Sequence, residues 1–341
     1  MKILITGGAG FIGSNFIRYV LSAHPDYQII NLDKLTYAGN LENLQEIESS
    51  SNYKFIKGDI CDKKLLDGLE FDAILNFAAE SHVDRSILNV HPFLQTNIVG
   101  TDNLLEITRQ RGCNFLHIST DEVYGSSEKG IFNEDSPLLP NSPYSASKAS
   151  SDLLVRAYVE THKIKATITR CSNNYGFNQF PEKLIPLVIL NALNKKPVPV
   201  YGDGLNVRDW IYVTDHCRAL DAVLHNGRPG EIYNIGARNE KTNLEVIKSL
   251  LTVIAEKLNV NEDELLSLIT FVKDRPGHDR RYAIDPSKIE RECGWTPETS
   301  FNKGIEKTIE WYISHKQWWK RVISGEYMQY YKIQYGERLK T

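Results

Sequence analysis

The stretch covering residues 1–33 restricts the fold more than any other. Lys2–Thr6 is an apolar, β-like run that stops at Gly7-Gly-Ala-Gly-Phe-Ile-Gly13, and a helical pattern follows from Ser14 to about Ala23. Gly8, Gly10 and Gly13 satisfy G-x-G-x-x-G, while Gly7, Gly10 and Gly13 give the wider G-x-x-G-x-x-G spacing. Glycines at such a turn let backbone N–H groups at a helix N-terminus approach a pyrophosphate. Gly-rich turns also arise for steric reasons alone, so the weight lies in the placement between a strand and a helix. A second apolar run, Gln28–Leu32, ends at Asp33, twenty residues after Gly13. A carboxylate there accepts from both hydroxyls of an adenosine ribose and repels a 2′-phosphate. The reading is NAD rather than NADP, with the charge of neighbouring Lys34 working against it and a helix N-cap as the plainer role for Asp33.

The rest of the first half repeats this rhythm. Tyr53–Lys57, Ala73–Phe77, the run from Phe115 and Ala166–Arg170 read as further strands. Between them lie helical patterns, among them Pro92–Arg111, with Pro92 suited to a first turn and Gly112 to a stop, and Tyr144 to about His162. The alternation predicts an α/β fold, a doubly wound parallel sheet of the Rossmann type. Ligands of such sheets bind outside the carboxyl ends of the strands. Gly7–Gly13, Asp33, Asp59, Ala78–His82 and Thr120–Glu122 all fall at that edge. Asp59 reads equally as a contact to the adenine edge or as a cap for a helix from Cys61. Beyond Arg170 the rhythm breaks into turns, a Pro181–Asn194 helix, strand-like Val198–Gly204 and Val207–Tyr212, and helices over Thr214–His225, Leu244–Leu258 and Pro286–Glu292. A last helix, Asn302–Arg321, carries Trp311, Trp318 and Trp319, read as core or interface. The expected division is a dinucleotide-binding domain over 1–170 and a smaller, mixed C-terminal substrate-binding lobe over 171–341, with the chain crossing between them.

The chemistry concentrates in Phe115–Lys148. An apolar strand stops at Ser119-Thr-Asp-Glu122, and Tyr144-Ser-Ala-Ser-Lys148 places a phenol and an ammonium four residues apart on one helix face. An ammonium beside a phenol favours the phenolate, bringing a group of ordinary pKa about 10 towards working pH. A base, two carboxyl groups and a hydroxyl thus converge from two short segments. In the second lobe, Arg208 and Arg275 offer forks suited to a diphosphate.

Composition excludes other classes. A formal charge of −3 over 341 residues gives no overall attraction to nucleic acid or anionic membrane. Cys61, Cys113, Cys171, Cys217 and Cys293 form no CxxC pair and read as buried thiols of a reducing compartment. No apolar stretch approaches the roughly 18 residues of a membrane span, and the opening residues turn to glycine too soon for a signal peptide. The expectation is a cytoplasmic enzyme with no metal.

With these residues in hand, the chain resembles the extended short-chain dehydrogenase/reductases and, more narrowly, their dTDP-glucose 4,6-dehydratase branch. The likeness runs through Thr6–Gly13, Leu32–Gly39, Asn76–Ser86, Ser119–Gly125, Tyr144–Ser151, Arg170–Gly176, Tyr201–Asp215 and Arg275–Asp285. Thr120-Asp121-Glu122 is the discriminating element. Related 4-epimerases keep the hydroxyl residue, Tyr and Lys but lack the adjacent acid–base pair, and GDP-mannose dehydratases and UDP-glucuronate decarboxylases show Ser-Glu where this chain has Asp121-Glu122. A non-catalytic dinucleotide-binding regulator would have lost part of Thr120, Tyr144 or Lys148. The loop Ser126–Ser142 is shorter than in some members, which bears on the pocket rim.

The resemblance implies the following roles. NAD would be held by Gly7, Gly10, Phe11, Ile12, Gly13, Asp33, Lys34, Thr36, Gly39, Asp59, Ile60, Ala78, Ala79, Ser81, Tyr144 and Lys148. Catalysis would fall to Thr120, Asp121 as acid, Glu122 as base, Tyr144 and Lys148. The nucleotide sugar would meet Thr120, Asn173, Lys183, Arg208, Asn243, Arg275 and His278, with Tyr201 near the base. His82, Glu80 and Tyr124 would lie near the sugar and nicotinamide. A homodimer would form through the helices Pro92–Arg111 and Tyr144–His162.

Overall fold

The computed structural model describes residues 1–323, 326–336 and 339. Among the described residues twelve strands run in chain order: β1 (Lys2–Thr6), β2 (Gln28–Asp33), β3 (Tyr53–Lys57), β4 (Ala73–Asn76), β5 (Asn114–Thr120), β6 (Lys165–Cys171), β7 (Asn173–Tyr175), β8 (Val198–Tyr201), β9 (Val207–Tyr212), β10 (Ile232–Ile235), β11 (Glu240–Thr242) and β12 (Ile269–Val272). Seven form the main sheet in the order β10-β6-β5-β4-β1-β2-β3, and every neighbouring pair is parallel. The order reverses beside β1, which opens a crevice at the carboxyl ends of β1 and β4, where this class of sheet binds its ligands.

Alternate residues of β1 feed opposite faces, as the pleat requires. Ile3 and Ile5 pack with Phe16 and Val20 of the helix Phe11–Ala23 and with Leu220 and Val223 of the helix Val213–Asn226. Leu4 packs on the other face with Leu104, Leu105 and Val155, from the helices Thr101–Arg111 and Pro143–His162.

Differences from the expected elements have local causes. Residues 91–111 are helical throughout, but Leu94–Gly100 takes the wider π geometry between His91–Phe93 and Thr101–Arg111. Gly112 ends this run at φ 66°, the left-handed stop that glycine adopts without strain. The tryptophan-bearing helix breaks at His315 into Phe301–Ser314 and Lys316–Val322, where the Ser314 hydroxyl donates to the Glu310 and Trp311 carbonyls. Trp318 and Trp319 are buried in the core of the second lobe.

Strand β10 and the helix before it were not legible as parts of the main sheet. The chain leaves the sheet after β6 and builds β7, β8 and β9. It then returns through the helix Val213–Asn226 to lay β10 beside β6. The remaining strands make a mixed three-stranded sheet, β11-β9-β7, and a parallel pair, β12-β8. Helices Leu184–Leu193, Asn243–Leu258 and Phe301–Ser314 enclose the core of this second lobe. Thr242 and Glu245 start the middle one with a reciprocal capping box.

Candidate active site

One continuous cavity runs along the carboxyl edge of the sheet from the first glycine turn to the start of the second lobe. At its outer end the turn is as close as backbone allows. A Cβ on Gly7, whose φ is +70°, would lie 2.6 Å from the Ala78 nitrogen, and one on Gly13 would lie 2.5 Å from the Gly7 carbonyl oxygen. The helix Phe11–Ala23 begins at Gly10 with no side-chain cap, so its first N–H groups face the cavity without a competing acceptor. Asp33 accepts from Ala9 N at 2.9 Å through one oxygen and from Leu35 N at 2.8 Å through the other. Two lone-pair positions remain for a diol. Burial raises its pKa, and the two backbone hydrogen bonds pull it back. Lys34 is held off by an ion pair to Asp59 at 2.8 Å. Asp59 also accepts from Cys61 N at 2.9 Å, whereas the cap of the next helix, Lys63–Asp67, is Asp62. All of the residues expected to hold a dinucleotide, from Gly7 to Ser81, line this cavity. A cradle closed to side chains, an uncapped helix start and an acid with spare acceptor capacity fit an NAD-type ligand.

Further in, β5 delivers Thr120, Asp121 and Glu122 to the rim as a tight turn, Asp121–Tyr124, capped by the Thr120 hydroxyl accepting from Glu122 N at 3.2 Å. The helix Pro143–His162, capped by Ser142 with Pro143 in its first turn, supplies Tyr144 and Lys148 from the opposite wall. The five side chains line the same cavity. The two neighbouring acids have different surroundings. Asp121 is 2 % exposed, receives only a 3.3 Å contact from the Thr120 hydroxyl, and leaves Oδ2 without a partner. Burial, followed by the adjacent Glu122 carboxylate, holds its pKa well above the usual range, which favours the protonated form. Glu122 is partly open, and its Oε2 accepts from the Ser145 hydroxyl at 3.1 Å. Ser145 was not singled out beforehand, although it sits next to Tyr144 on the same turn.

The base side departs from expectation. Lys148 Nζ donates to the Ile118 carbonyl at 2.8 Å, and burial lowers its pKa to about 8 against the opposing pull of Asp152. Burial and then the Glu122 carboxylate push the Tyr144 phenol well above its ordinary value, and only a hydrogen bond with Thr120 acts the other way. Burial thus disfavours both the phenolate and the ammonium in this arrangement. Tyr124 is also displaced from expectation. It is fully buried, stacks on Phe132, donates to Asn234 Oδ1 at 2.8 Å and accepts from Arg170 at 2.9 Å, outside the lining of the cavity. Arg170 in turn pairs with buried Asp152 at 2.8 Å.

The second-lobe residues divide into two groups. Asn173 and Lys183 line the cavity, Lys183 Nζ donating to the Ser81 carbonyl at 2.7 Å. The others are engaged by carboxylates and backbone carbonyls of the protein itself. Arg275 pairs with Asp84 at 3.1 Å while its buried Nε has no partner, and Tyr201 donates to the same carboxylate at 3.0 Å. Arg208 stacks over Tyr282 at 4.1 Å and donates to the Asp279 carbonyl at 2.8 Å. His278 sits 2.7 Å from Asp274, its pKa lowered to about 4 mainly by burial. His82 is buried against the Glu182 carbonyl at 3.3 Å, while Glu80 lines the cavity and burial raises its pKa. Asn243 opens the helix Asn243–Leu258, its N–H donating to the Asn206 carbonyl at 3.0 Å. Asp84 was overlooked, yet it organises this end: Arg275, Tyr201 and Gln334 all converge on it. Its signal was an acid between His82 and Arg85, within reach of the basic loop 273–281. Cys171, Ser172, Gln179 and Glu182 also line the cavity and were not foreseen.

The parallel sheet, the glycine cradle and a Tyr-x-x-x-Lys helix facing a strand-end hydroxyl define an extended short-chain dehydrogenase/reductase. A profile of the GDP-mannose 4,6 dehydratase family matches residues 4–308. The chain is 52% identical over 345 aligned positions to the dTDP-glucose 4,6-dehydratase of Neisseria meningitidis, covering 96% of this chain and 97% of that one. It is 50% identical to one from Escherichia coli, with 99% of each covered. The crystal structure of dTDP-glucose 4,6-dehydratase from Bacillus anthracis in complex with NAD superposes with a TM-score of 0.86 at 49% identity, covering 94% of this chain and 99% of that one. A UDP-glucuronic acid 4-epimerase from Bacillus cereus shares the fold at TM-score 0.83 with only 29% identity, over 92% of this chain and 99% of that one. The chain belongs to the dTDP-glucose 4,6-dehydratase family.

Proposed function

We propose that this enzyme converts dTDP-glucose to dTDP-4-keto-6-deoxyglucose and water, with NAD as its resident cofactor. The observation that carries the reading is the unequal acid pair: a buried Asp121, whose surroundings favour its protonated form, beside a partly open Glu122, both lining one cavity with Tyr144. Water cannot leave across C5 and C6 of a hexose while the C5 proton is unactivated. A ketone at C4 makes that proton acidic and turns the 6-hydroxyl into a β leaving group. Bound NAD supplies the acceptor for the C4 hydride and afterwards the donor to C6. Tyr144, acting as the phenolate with its charge offset by the Lys148 ammonium, takes the proton of the 4-hydroxyl through its phenolic oxygen, aligned by the Thr120 hydroxyl. Lys148, anchored on the Ile118 carbonyl, lies one helical turn from Tyr144. Glu122, oriented by Ser145, removes the C5 proton and returns it to C5 when hydride reaches C6, and Asp121 gives its proton to the departing 6-hydroxyl, which leaves as water. Each such proton transfer is worth about 10²–10⁴-fold in rate.

In this reading residues 1–170, completed by β10, bind NAD through the glycine turn and Asp33, and the second lobe binds the nucleotide. Arg208 and Arg275 take the diphosphate, Arg275 exchanging Asp84 for it, with Asn173, Lys183, Asn243 and His278 around it, Tyr201 at the base and His82 near the sugar. The reading extends to a cytoplasmic homodimer. What supports the dimer is a set of exposed apolar side chains: Leu94 (42 % exposed) and Val99 (42 %) within Pro92–Arg111, Leu153 (56 %) within Tyr144–His162, and Leu88 (62 %) at the end of the short helix Val83–Leu88 just before the first. The described residues contain no helix long and apolar enough to cross a membrane.

The decisive experiment is turnover on dTDP-glucose beside UDP-glucose and GDP-mannose, without added cofactor, with alkaline absorbance reporting the 4-keto-6-deoxy product. Product from dTDP-glucose alone is expected; an epimerised sugar with no 4-keto product would overturn the reading.

A further inference from the structure

We propose that His24, Asp221 and His225 form a binding site for one Zn²⁺ ion at the back of the dinucleotide-binding half. These three are the only group of such side chains, among the described residues, whose ligand atoms all lie within 4.8 Å of one another. His24 Nε2 is 2.9 Å from Asp221 Oδ1, and His225 Nδ1 is 3.3 Å from the same oxygen. Tetrahedral zinc with bonds of about 2.0–2.2 Å places neighbouring ligand atoms roughly 3.3–3.5 Å apart. The side chains thus already stand near the required spacing. Two imidazoles and one carboxylate suit zinc over magnesium or calcium, which prefer oxygen ligands throughout.

The supports of the cluster resemble those of a metal site. Tyr27 OH lies 2.7 Å from His225 Nε2, so Nδ1 is left as the ligating nitrogen with the other nitrogen held. Tyr19 OH reaches Asp221 Oδ2 at 3.4 Å, on the oxygen opposite the histidines. His24 is fixed by stacking on Tyr27 at 4.5 Å. Binding requires one adjustment: His225 Nδ1 must turn from the Asp221 carbonyl, 2.8 Å away, to the metal. The side chains of His24, Asp221 and His225 are 26 %, 15 % and 33 % exposed, which admits the ion and leaves a fourth position for water.

The three ligands come from two segments far apart in the chain. Asp221 and His225 share one face of the helix Val213–Asn226 at i, i+4, while His24 follows the last turn of the helix Phe11–Ala23. An ion here would clamp the returning segment to the first βα unit. It would sit at the far end of a helix of 13 residues, about 20 Å from the glycine turn, and take no part in the chemistry of the cavity.

The test uses the untagged full chain, freed of metal and titrated with ZnCl₂ by calorimetry. Co²⁺ serves as a second, coloured probe of ligand type. The expected result is one equivalent of Zn²⁺, a higher thermal midpoint with zinc than with chelator, and a Co²⁺ spectrum of nitrogen and oxygen ligands. His24→Gln and His225→Gln, at partly exposed positions, should each weaken Zn²⁺ at least tenfold while the circular dichroism stays unchanged. Asp221→Asn should do the same. Equal affinity in wild type and the His24→Gln/His225→Gln double variant, no stoichiometric binding, or a thiolate–cobalt band would each overturn the proposal and leave the cluster as an ion pair only.

Discussion

Replacing Asp121 with Asn separates the two halves of the proposed reaction. The substitution keeps the shape of the side chain and the Thr120 contact, and it removes only the proton that the buried acid carries. Loss of a positioned general acid costs about 10²–10⁴-fold, or roughly 3–5 kcal/mol at 1.36 kcal/mol per decade. The cost should fall on departure of the 6-hydroxyl and not on oxidation at C4, which relies on Tyr144. Mixed rapidly with dTDP-glucose, the variant should therefore show the absorbance of reduced nicotinamide rise and persist while 4-keto-6-deoxy product forms at least a hundredfold slower. Stability provides an internal control. A carboxyl whose pKa is higher in the folded than in the unfolded chain makes the fold bind the extra proton, so its contribution to stability falls as pH rises above the unfolded value of about 3.9. Asn at this position cannot ionise, so Asp121→Asn should match wild type in acid and be at least as stable at pH 8 in urea titrations. Rapid product formation, or a variant that no longer oxidises C4, would refute the assignment of Asp121 as the acid.

Other substitutions probe the remaining parts. Tyr144→Phe should abolish the first oxidation, lowering it by about 10²–10⁴-fold, with no absorbance of reduced nicotinamide on mixing; a normal burst would count against the phenol as base. Gly13→Ala places a Cβ 2.5 Å from the Gly7 carbonyl. Such crowding costs about 1–3 kcal/mol, so NAD affinity measured by fluorescence titration should fall roughly 5- to 150-fold; unchanged affinity would show that the turn does not cradle the pyrophosphate. Asp152→Ala strands the buried Arg170 guanidinium, and removing one partner of a buried pair costs about 3–5 kcal/mol. Urea unfolding should register that loss, and a change below 1 kcal/mol would mean that the Tyr124 and Asp152 contacts to Arg170 are not needed.

The placements legible in advance are those written in contiguous stretches. The turn after β1, Asp33 at the end of β2, and the Tyr144–Lys148 spacing each follow from local periodicity and a single residue type at a fixed offset. What the chain hid depends on distant partners. Ile232–Ile235 is too short to declare a sheet, and it becomes one only because β6 presents an open edge. Asp84 looks like an ordinary first-turn acid until Arg275, Tyr201 and Gln334 arrive from three other segments. The spacing of Tyr144 and Lys148 was legible, but their electrostatics were not, because the dielectric of the wall is set by everything packed around it. Tyr124 shows the same limit: its place beside Thr120–Glu122 in sequence said nothing about the inward rotation that joins it to Arg170 and Asn234.

The late arrival of β10 has a consequence for biogenesis. Asn234, on that strand, holds the Tyr124 hydroxyl that Arg170 also contacts, so the scaffold behind the acid pair is completed only when β10 docks. Some sixty residues separate Cys171 from Ile235, and at about 5–20 residues per second a ribosome needs roughly 3–13 s to supply them. During that interval the nascent protein carries an unpaired β6 border, a template for pairing with neighbouring polypeptides. A chaperone that shields this border would raise the yield of active enzyme.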